Sequence, residues 1–291
     1  MAYTFEIWGH RGCNNNDHFQ NSLSAFKHAF ENAQGFETDC VKSKDNKVFH
    51  IHDTWYGGTY LEYEIRKNLK EASAEFIGDR RIDELNSVDA GSLIIKDGSA
   101  IPKFDELLDL WEKHQDKTIN LELKGEDVLK PVLDALSARN IPLDHEKIVY
   151  SSFAHQPLLE LRKKVATAKI AMLYALYNQD KGQMYPWSKS KNKLDDYYHY
   201  TPLRKEFIDQ EMIGSINPDF FCFEAESYLF HAKPYIDELY PDKSIVLWTY
   251  GAQVKVHDNE KVVSALKDAE LTKNIHAIIV DYPDEMKEAL S

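Results

Sequence analysis

Phe5-Glu6-Ile7-Trp8-Gly9, the amphipathic segment 23–32, and then Phe36-Glu37-Thr38-Asp39-Cys40 together decide the fold. The outer runs are short blocks rich in aromatic and apolar residues, and the segment between them has apolar residues at three- and four-residue spacing, so the unit reads strand, helix, strand. Working outward, further strand-like runs follow at 119–123, 148–152, 170–174, 220–224, 245–249 and 277–281, separated by helical patterns such as 104–114, 128–139, 158–165, 229–239 and 261–271. Eight strands, each followed by a helix or helix-like segment, predict a (β/α)8 TIM barrel. No seam for a second full domain interrupts the alternation, so residues 1–291 are expected to form one barrel domain. An additional strand at 48–52 follows Lys44-Asp45-Asn46-Lys47, whose Asp-Asn centre favours a turn, and is expected to form a hairpin with the second strand. Residues 55–99 break the rhythm and read as an insertion at the barrel mouth; 177–202 reads as a long rim loop, a candidate lid.

The chain of 291 residues carries 35 Lys+Arg against 48 Asp+Glu, a formal net charge of −13, which argues against gripping nucleic acid or an anionic membrane through the overall field. No apolar run approaches the ~18 residues of a membrane-spanning helix, so integral membrane association is not expected. The N-terminal residues have no basic region followed by an apolar stretch, and Cys13, Cys40 and Cys222 are odd in number and widely spaced. Neither a disulfide framework nor a thiolate zinc site is indicated, and a reduced, cytoplasmic setting is the expectation.

In a barrel of this type the active site is built at the C-terminal ends of the strands. Here those ends are polar: Gly9-His10-Arg11-Gly12, Glu37-Thr38-Asp39, His50-Ile51-His52-Asp53 and Glu122-Leu123-Lys124. Side chains two apart in a strand share a face, so Glu37 with Asp39, and Glu122 with Lys124, project into one space. Any one of these pairs has an ordinary explanation as a structural ion pair with Arg11 or Lys124. Together, three buried carboxylates are most cheaply satisfied by a divalent cation with all-oxygen ligands. His10 and His52 beside them suit general acid–base work, and Arg11 and Lys124 supply the forked donor and compact charge that a phosphate needs.

These runs, with Asn21-Ser22-Leu23-Ser24-Ala25-Phe26, Ile101-Pro102-Lys103-Phe104-Asp105-Glu106, Ser151-Ser152-Phe153, Leu247-Trp248-Thr249 and Ile279-Val280-Asp281-Tyr282-Pro283, resemble the signature of the glycerophosphodiester phosphodiesterase family over nearly the whole chain. The resemblance implies a metal-dependent barrel hydrolase that converts a small-molecule glycerophosphodiester to sn-glycerol 3-phosphate and an alcohol. It implies one Mg²⁺ or Ca²⁺ held by Glu37, Asp39 and Glu122, proton transfer by His10 and His52, phosphate contacts from Arg11 and Lys124, and a glycerol wall at Trp248. It also implies attack by the glycerol 2-hydroxyl to give a cyclic phosphate that water then opens. One departure stands out: the family's usual Pro-Glu-Asn-Thr is here Phe19-Gln20-Asn21-Ser22, an amide in place of a carboxylate.

Three other readings fit parts of the same pattern. A lysophospholipase D-type or sphingomyelinase D-type enzyme would use similar machinery on another substrate. A zinc amidohydrolase-like barrel would use His50 and His52 as a metal pair, but the later strand ends offer Glu122, Ser152, Glu224 and Asp281 and no histidine. A non-catalytic barrel binding a phosphorylated ligand would be expected to lack a histidine or a metal ligand, and none is missing.

Overall fold

The computed structural model describes residues 3–52, 68–78, 80–174, 210–249 and 256–291. Among these the strands are β1 (Glu6–Gly9), β2 (Gly35–Lys42), β3 (Val48–His50), β4 (Thr118–Leu123), β5 (Ile148–Ser152), β6 (Lys169–Leu173), β7 (Phe220–Glu224), β8 (Ser244–Trp248) and β9 (Ile275–Val280). Eight of them run parallel in the order β1-β9-β8-β7-β6-β5-β4-β2, and β1 pairs with β2 through Trp8↔Gly35 and Gly9↔Phe36, which closes the ring. This is the expected (β/α)8 barrel, and each of the eight runs read from sequence is a barrel strand. β3 is the predicted extra strand. β2 has eight residues against four in β1, so its far end projects past its neighbour, and β3 pairs antiparallel there through Cys40↔His50 and Lys42↔Val48.

Alternation along the strands sorts side chains into two layers. Trp8, Val149, Ala171, Leu173, Cys222, Val246, Ala277 and Ile279 fill the barrel interior. Phe36, Ile119, Leu121, Ile170, Phe221 and Ile278 face outward into the core shared with the helices. The helix Leu23–Asn32 illustrates the cause. Ser22 caps its start by accepting from the Ala25 amide, and its buried face of Ala25, Phe26, Ala29 and Phe30 stacks Phe26 on Phe36 at 5.2 Å. Each such fully buried aromatic contributes roughly 1.5–3 kcal/mol of transfer free energy.

The described part of the 55–99 insertion is ordered around its own apolar cluster. Helices Glu71–Ile77 and Ser87–Gly91 bury Ile77 and Ala90 with Leu85, Leu93 and Ile95 against Val41, Phe49 and Ile51 of the β2–β3 hairpin. Residues 53–67 and 79 of that region, and the whole 177–202 loop with its lid reading, lie outside the described residues. Cys13, Cys40 and Cys222 are free and buried. No helix among the described residues is long and apolar enough to cross a membrane.

Candidate active site

β2 and β4 lie side by side with Asp39 in register with Glu122, and the inward faces of the two strands bring Glu37, Asp39 and Glu122 together. One carboxylate oxygen from each lies within 4.8 Å of the others, and all three residues are buried. Lys124, just past β4, is hydrogen-bonded to Glu122 Oε1 and stands 3.0 Å from Asp39 Oδ1. Arg11 approaches from the β1 end, with Nε 3.4 Å from Asp39 Oδ2 and its backbone N–H donating to Glu37 Oε2 at 3.0 Å. The turn that delivers Arg11 is tight. A Cβ on Gly9 would collide with the Gly12 carbonyl, and Arg11 itself has a φ of 52°, a left-handed conformation that L residues adopt at a cost of about 1 kcal/mol or more. The Arg11 carbonyl is fixed in turn by the Asn21 amide at 2.8 Å.

Burial pushes the Glu37 carboxyl well above its ordinary pKa, and the neighbouring Asp39 and Glu122 charges push the same way. Glu122 is raised too: burial outweighs the opposing Lys124 charge, and Asp39 adds to the rise. Asp39 goes the other way. Burial would raise it, but Lys124, His52 and Arg11, with a hydrogen bond from Asn21 Nδ2 at 2.8 Å, hold it below the usual carboxylate range. Glu37 Oε1 is buried with no hydrogen-bond partner among the described residues. Two carboxyls raised in pKa by burial beside a third that is lowered, with an orphaned oxygen among them, are what a cluster suited to a hard divalent cation looks like, because the cation would offset both the burial of charge and the missing bond. Glu37, Asp39 and Glu122 are the residues that would hold it.

His10 Nδ1 lies 2.7 Å from Asp281 Oδ1. A carboxylate only accepts, so this contact places the ring proton on Nδ1 and leaves Nε2, 4.0 Å from Glu37 Oε2, as the atom facing the cluster. His52 is buried, its charge helps to lower Asp39, and its carbonyl accepts from Asn68 Nδ2 at 3.3 Å. His50 is separate. It is fully buried between Phe26 and Phe104, and its Nδ1 meets the Thr38 hydroxyl and the Asp39 carbonyl on the outer face of β2. β3 ends at His50, so the two-residue alternation that would align His50 with His52 stops there, and neither histidine joins a group of three or more candidate metal ligands among the described residues. Trp248 ends β8, packs edge-on against Phe153 at 5.9 Å, and keeps its Nε1 buried without a partner among the described residues.

The structure thus brings together Glu37, Asp39, Glu122, Arg11 and Lys124, with His10 and His52 beside them. Sequence reasoning gave no role to Asp281, Gln20 or Asn68. Asp281 had a findable signal, since Val280 is in register with Gly9 and the next residues, His10 and Asp281, must meet once the barrel closes. Asn68 had none, because its partner Gln20 lies 48 residues away.

Fold and site define a (β/α)8 barrel whose mouth holds a buried acidic, cation-ready cluster flanked by arginine and lysine. The model of the glycerophosphoryl diester phosphodiesterase family matches residues 10–211, and the chain belongs to that family. A glycerophosphodiester phosphodiesterase from Caldanaerobacter subterraneus subsp. tengcongensis is 29% identical over 189 residues, covering 62% of this chain and 69% of that protein. Another, from Bacillus altitudinis, is 28% identical over 175 residues, covering 58% of this chain and 66% of its own length. Among solved structures, a phosphodiesterase from Oleispira antarctica in complex with the product sn-glycerol-3-phosphate superposes with a TM-score of 0.63 at 15% identity, covering 99% of this chain and 97% of that one. A glycerophosphodiester phosphodiesterase from Thermotoga maritima gives 0.58 at 20% identity, covering 99% and 98%. At these identities the structural likeness establishes the barrel; the family rests on the sequence model.

Proposed function

We propose that this protein hydrolyses glycerophosphodiesters to sn-glycerol 3-phosphate and an alcohol, using one Mg²⁺ or Ca²⁺. The observation that carries this reading is the buried triad Glu37, Asp39 and Glu122, within 4.8 Å of one another and flanked by the cationic Arg11 and Lys124. Family membership supports it, as does the product bound to the Oleispira antarctica relative. An all-oxygen donor set favours a hard cation, which when bound screens the phosphate charge and acts as a Lewis acid.

The chain's own residues do the rest. Arg11 and Lys124 hold non-bridging phosphate oxygens. One of His10 and His52 takes the proton from the glycerol 2-hydroxyl as its oxygen bonds to phosphorus, and the other gives a proton to the departing alcohol oxygen. Water then opens the resulting cyclic phosphate with the proton transfers reversed. Asp281 holds His10 in the tautomer that presents Nε2. Trp248 Nε1, without a partner among the described residues, suits a glycerol hydroxyl, and its ring covers the carbon skeleton. Free buried cysteines fit a reducing, cytoplasmic setting, and residues 1–291 act as one barrel unit with its insertion.

The test strips the protein with a chelator, restores Mg²⁺, Ca²⁺, Mn²⁺ or Zn²⁺ in turn, and follows glycerol 3-phosphate release from glycerophosphocholine and glycerophosphoethanolamine. Release restored by Mg²⁺ or Ca²⁺ is expected. Cleavage of lysophospholipids alone would move the reading to a lysophospholipase D-type enzyme, and no phosphodiester cleaved with any metal would overturn it.

A further inference from the structure

Arg11 Nη1 donates to Gln20 Oε1, Gln20 Nε2 donates to Asn68 Oδ1 at 2.8 Å, and Asn68 Nδ2 donates to the His52 carbonyl at 3.3 Å. The chain of bonds has a fixed direction because of what stands at its ends. A guanidinium can only donate and a backbone carbonyl can only accept. Each residue between them must accept on one side and donate on the other, which a carboxamide does and a carboxylate does not. The two intermediate positions are both carboxamides, Gln20 and Asn68. Asn68 is 5% exposed and His52 6%, so a bond lost there would not be replaced freely by water.

We propose that Gln20 and Asn68 are positioning residues that form a directional relay, tying the phosphate-binding Arg11 to the backbone of the proton-transferring His52. This rests on the function proposed above and adds two residues to it. The relay joins the loop after β1 to the residue that opens the described part of the insertion, so the insertion takes part in setting the site as well as covering the β2–β3 hairpin. It has a second consequence. Gln20 orients the guanidinium without adding a negative charge beside it. A carboxylate at position 20 would still accept from Arg11, but would compete with phosphate for the charge and lose the bond to Asn68.

The experiment compares Gln20→Glu, Gln20→Ala, Asn68→Ala and the double alanine variant, all metal-loaded. It measures kcat and KM for glycerophosphocholine and, by calorimetry, Kd for glycerol 3-phosphate and for inorganic phosphate. Gln20→Glu, nearly the same in shape, is expected to raise KM and both Kd values about tenfold. Asn68→Ala is expected to lower kcat several-fold with a smaller change in Kd, because it frees His52 more than Arg11. In kcat/KM the double variant should be no worse than Gln20→Ala by more than about twofold, the mark of residues acting as one unit. Additive single effects, or wild-type Kd values in Gln20→Glu, would overturn the relay. Gln20→Glu keeps the test open if the alanine variants fail to fold. If the wild type leaves every glycerophosphodiester intact, the functional reading falls by itself, and the relay is then decided by phosphate affinity: weakened in Gln20→Glu sustains it, unchanged overturns it.

Discussion

Two arcs of the barrel mouth are built from opposite kinds of side chain. Along β1, β2 and β4 the strand ends carry His10, Glu37, Asp39, Glu122 and Lys124, with Arg11 in the first turn. Across from them, the interior of β5 to β8 is mostly apolar: Val149, Ala171, Leu173, Cys222 and Val246, with Ser151 among them and Phe153 and Trp248 packed against it. Among the described residues, the inward carboxylate of that arc is Glu224, raised in pKa by burial although it accepts the Ser227 amide at 2.7 Å at the start of the next helix, so a local cap accounts for it. Among the described residues, the division sets the acidic cluster and its two cations on three neighbouring strands, opposite a largely apolar wall. A low-polarity wall makes each of those charges act more strongly on a bound phosphate than it would in solvent. The cost falls on the charged arc, where burial raises the pKa of both Glu37 and Glu122.

Removing the proposed proton-transfer groups from the charged arc should have the largest effect. His10→Ala and His52→Ala are each expected to fold normally and to lose at least ~10²-fold in turnover; wild-type rates in either would break the acid–base assignment. Asp281→Asn should cost somewhat less, about 10–10²-fold in kcat with KM nearly kept, because it removes only the group that fixes the His10 tautomer. An equal change in KM would instead mean that Asp281 acts through substrate binding.

Glu37→Gln sharpens the comparison by reversing sign with metal. Calorimetry should find cation binding abolished or severely weakened. The metal-free variant should melt no lower than the metal-free wild type, because burial already disfavours the charged form of Glu37 and an amide keeps the shape without a charge to bury. A stripped variant much less stable than the stripped wild type would show that Glu37 is structural.

Just outside the charged arc, burial drives the His50 imidazole down to about 4, and its bonds to Asp39 only partly oppose this. The unfolded chain takes up that proton near the ordinary value of 6.5, so the stability His50 contributes is complete above pH 6.5 and is lost as pH falls towards 4. The loss is on the order of 3 kcal/mol across that window. Glu37 and Glu122 titrate in the opposite sense, so the readout is the difference between wild type and His50→Gln in denaturant unfolding at several pH values. Parallel profiles would remove His50 as the cause. The smallest effect is expected on the apolar arc: Trp248→Leu should raise KM a few-fold and leave kcat nearly unchanged.

Much of this was legible in the chain before any fold was known. The eight strands follow from apolar blocks separated by three- and four-residue periodicity, and the pairing of Glu37 with Asp39 follows from alternation alone. His50 and His52 mark where that logic stops, since alternation holds only while the ladder lasts and β3 ends between them. The insertion illustrates the other limit. Its broken periodicity announced an interruption, but the apolar cluster of Ile77, Leu85, Leu93 and Ile95 that seats it on the β2–β3 hairpin depends on contacts remote in sequence.

By itself the sequence determined the barrel and the kinds of ligand it offers, because strand and helix periods and the chemistry of carboxylate, imidazole and guanidinium are local properties. Tertiary structure alone decided which groups meet. His10 reaches Asp281 across 271 residues only because β1 and β9 are neighbours in a closed ring, and Gln20 reaches Asn68 only because the insertion folds back beside the first loop. Such contacts are set by ring closure and strand register, geometric conditions on the whole chain that no local window of residues contains.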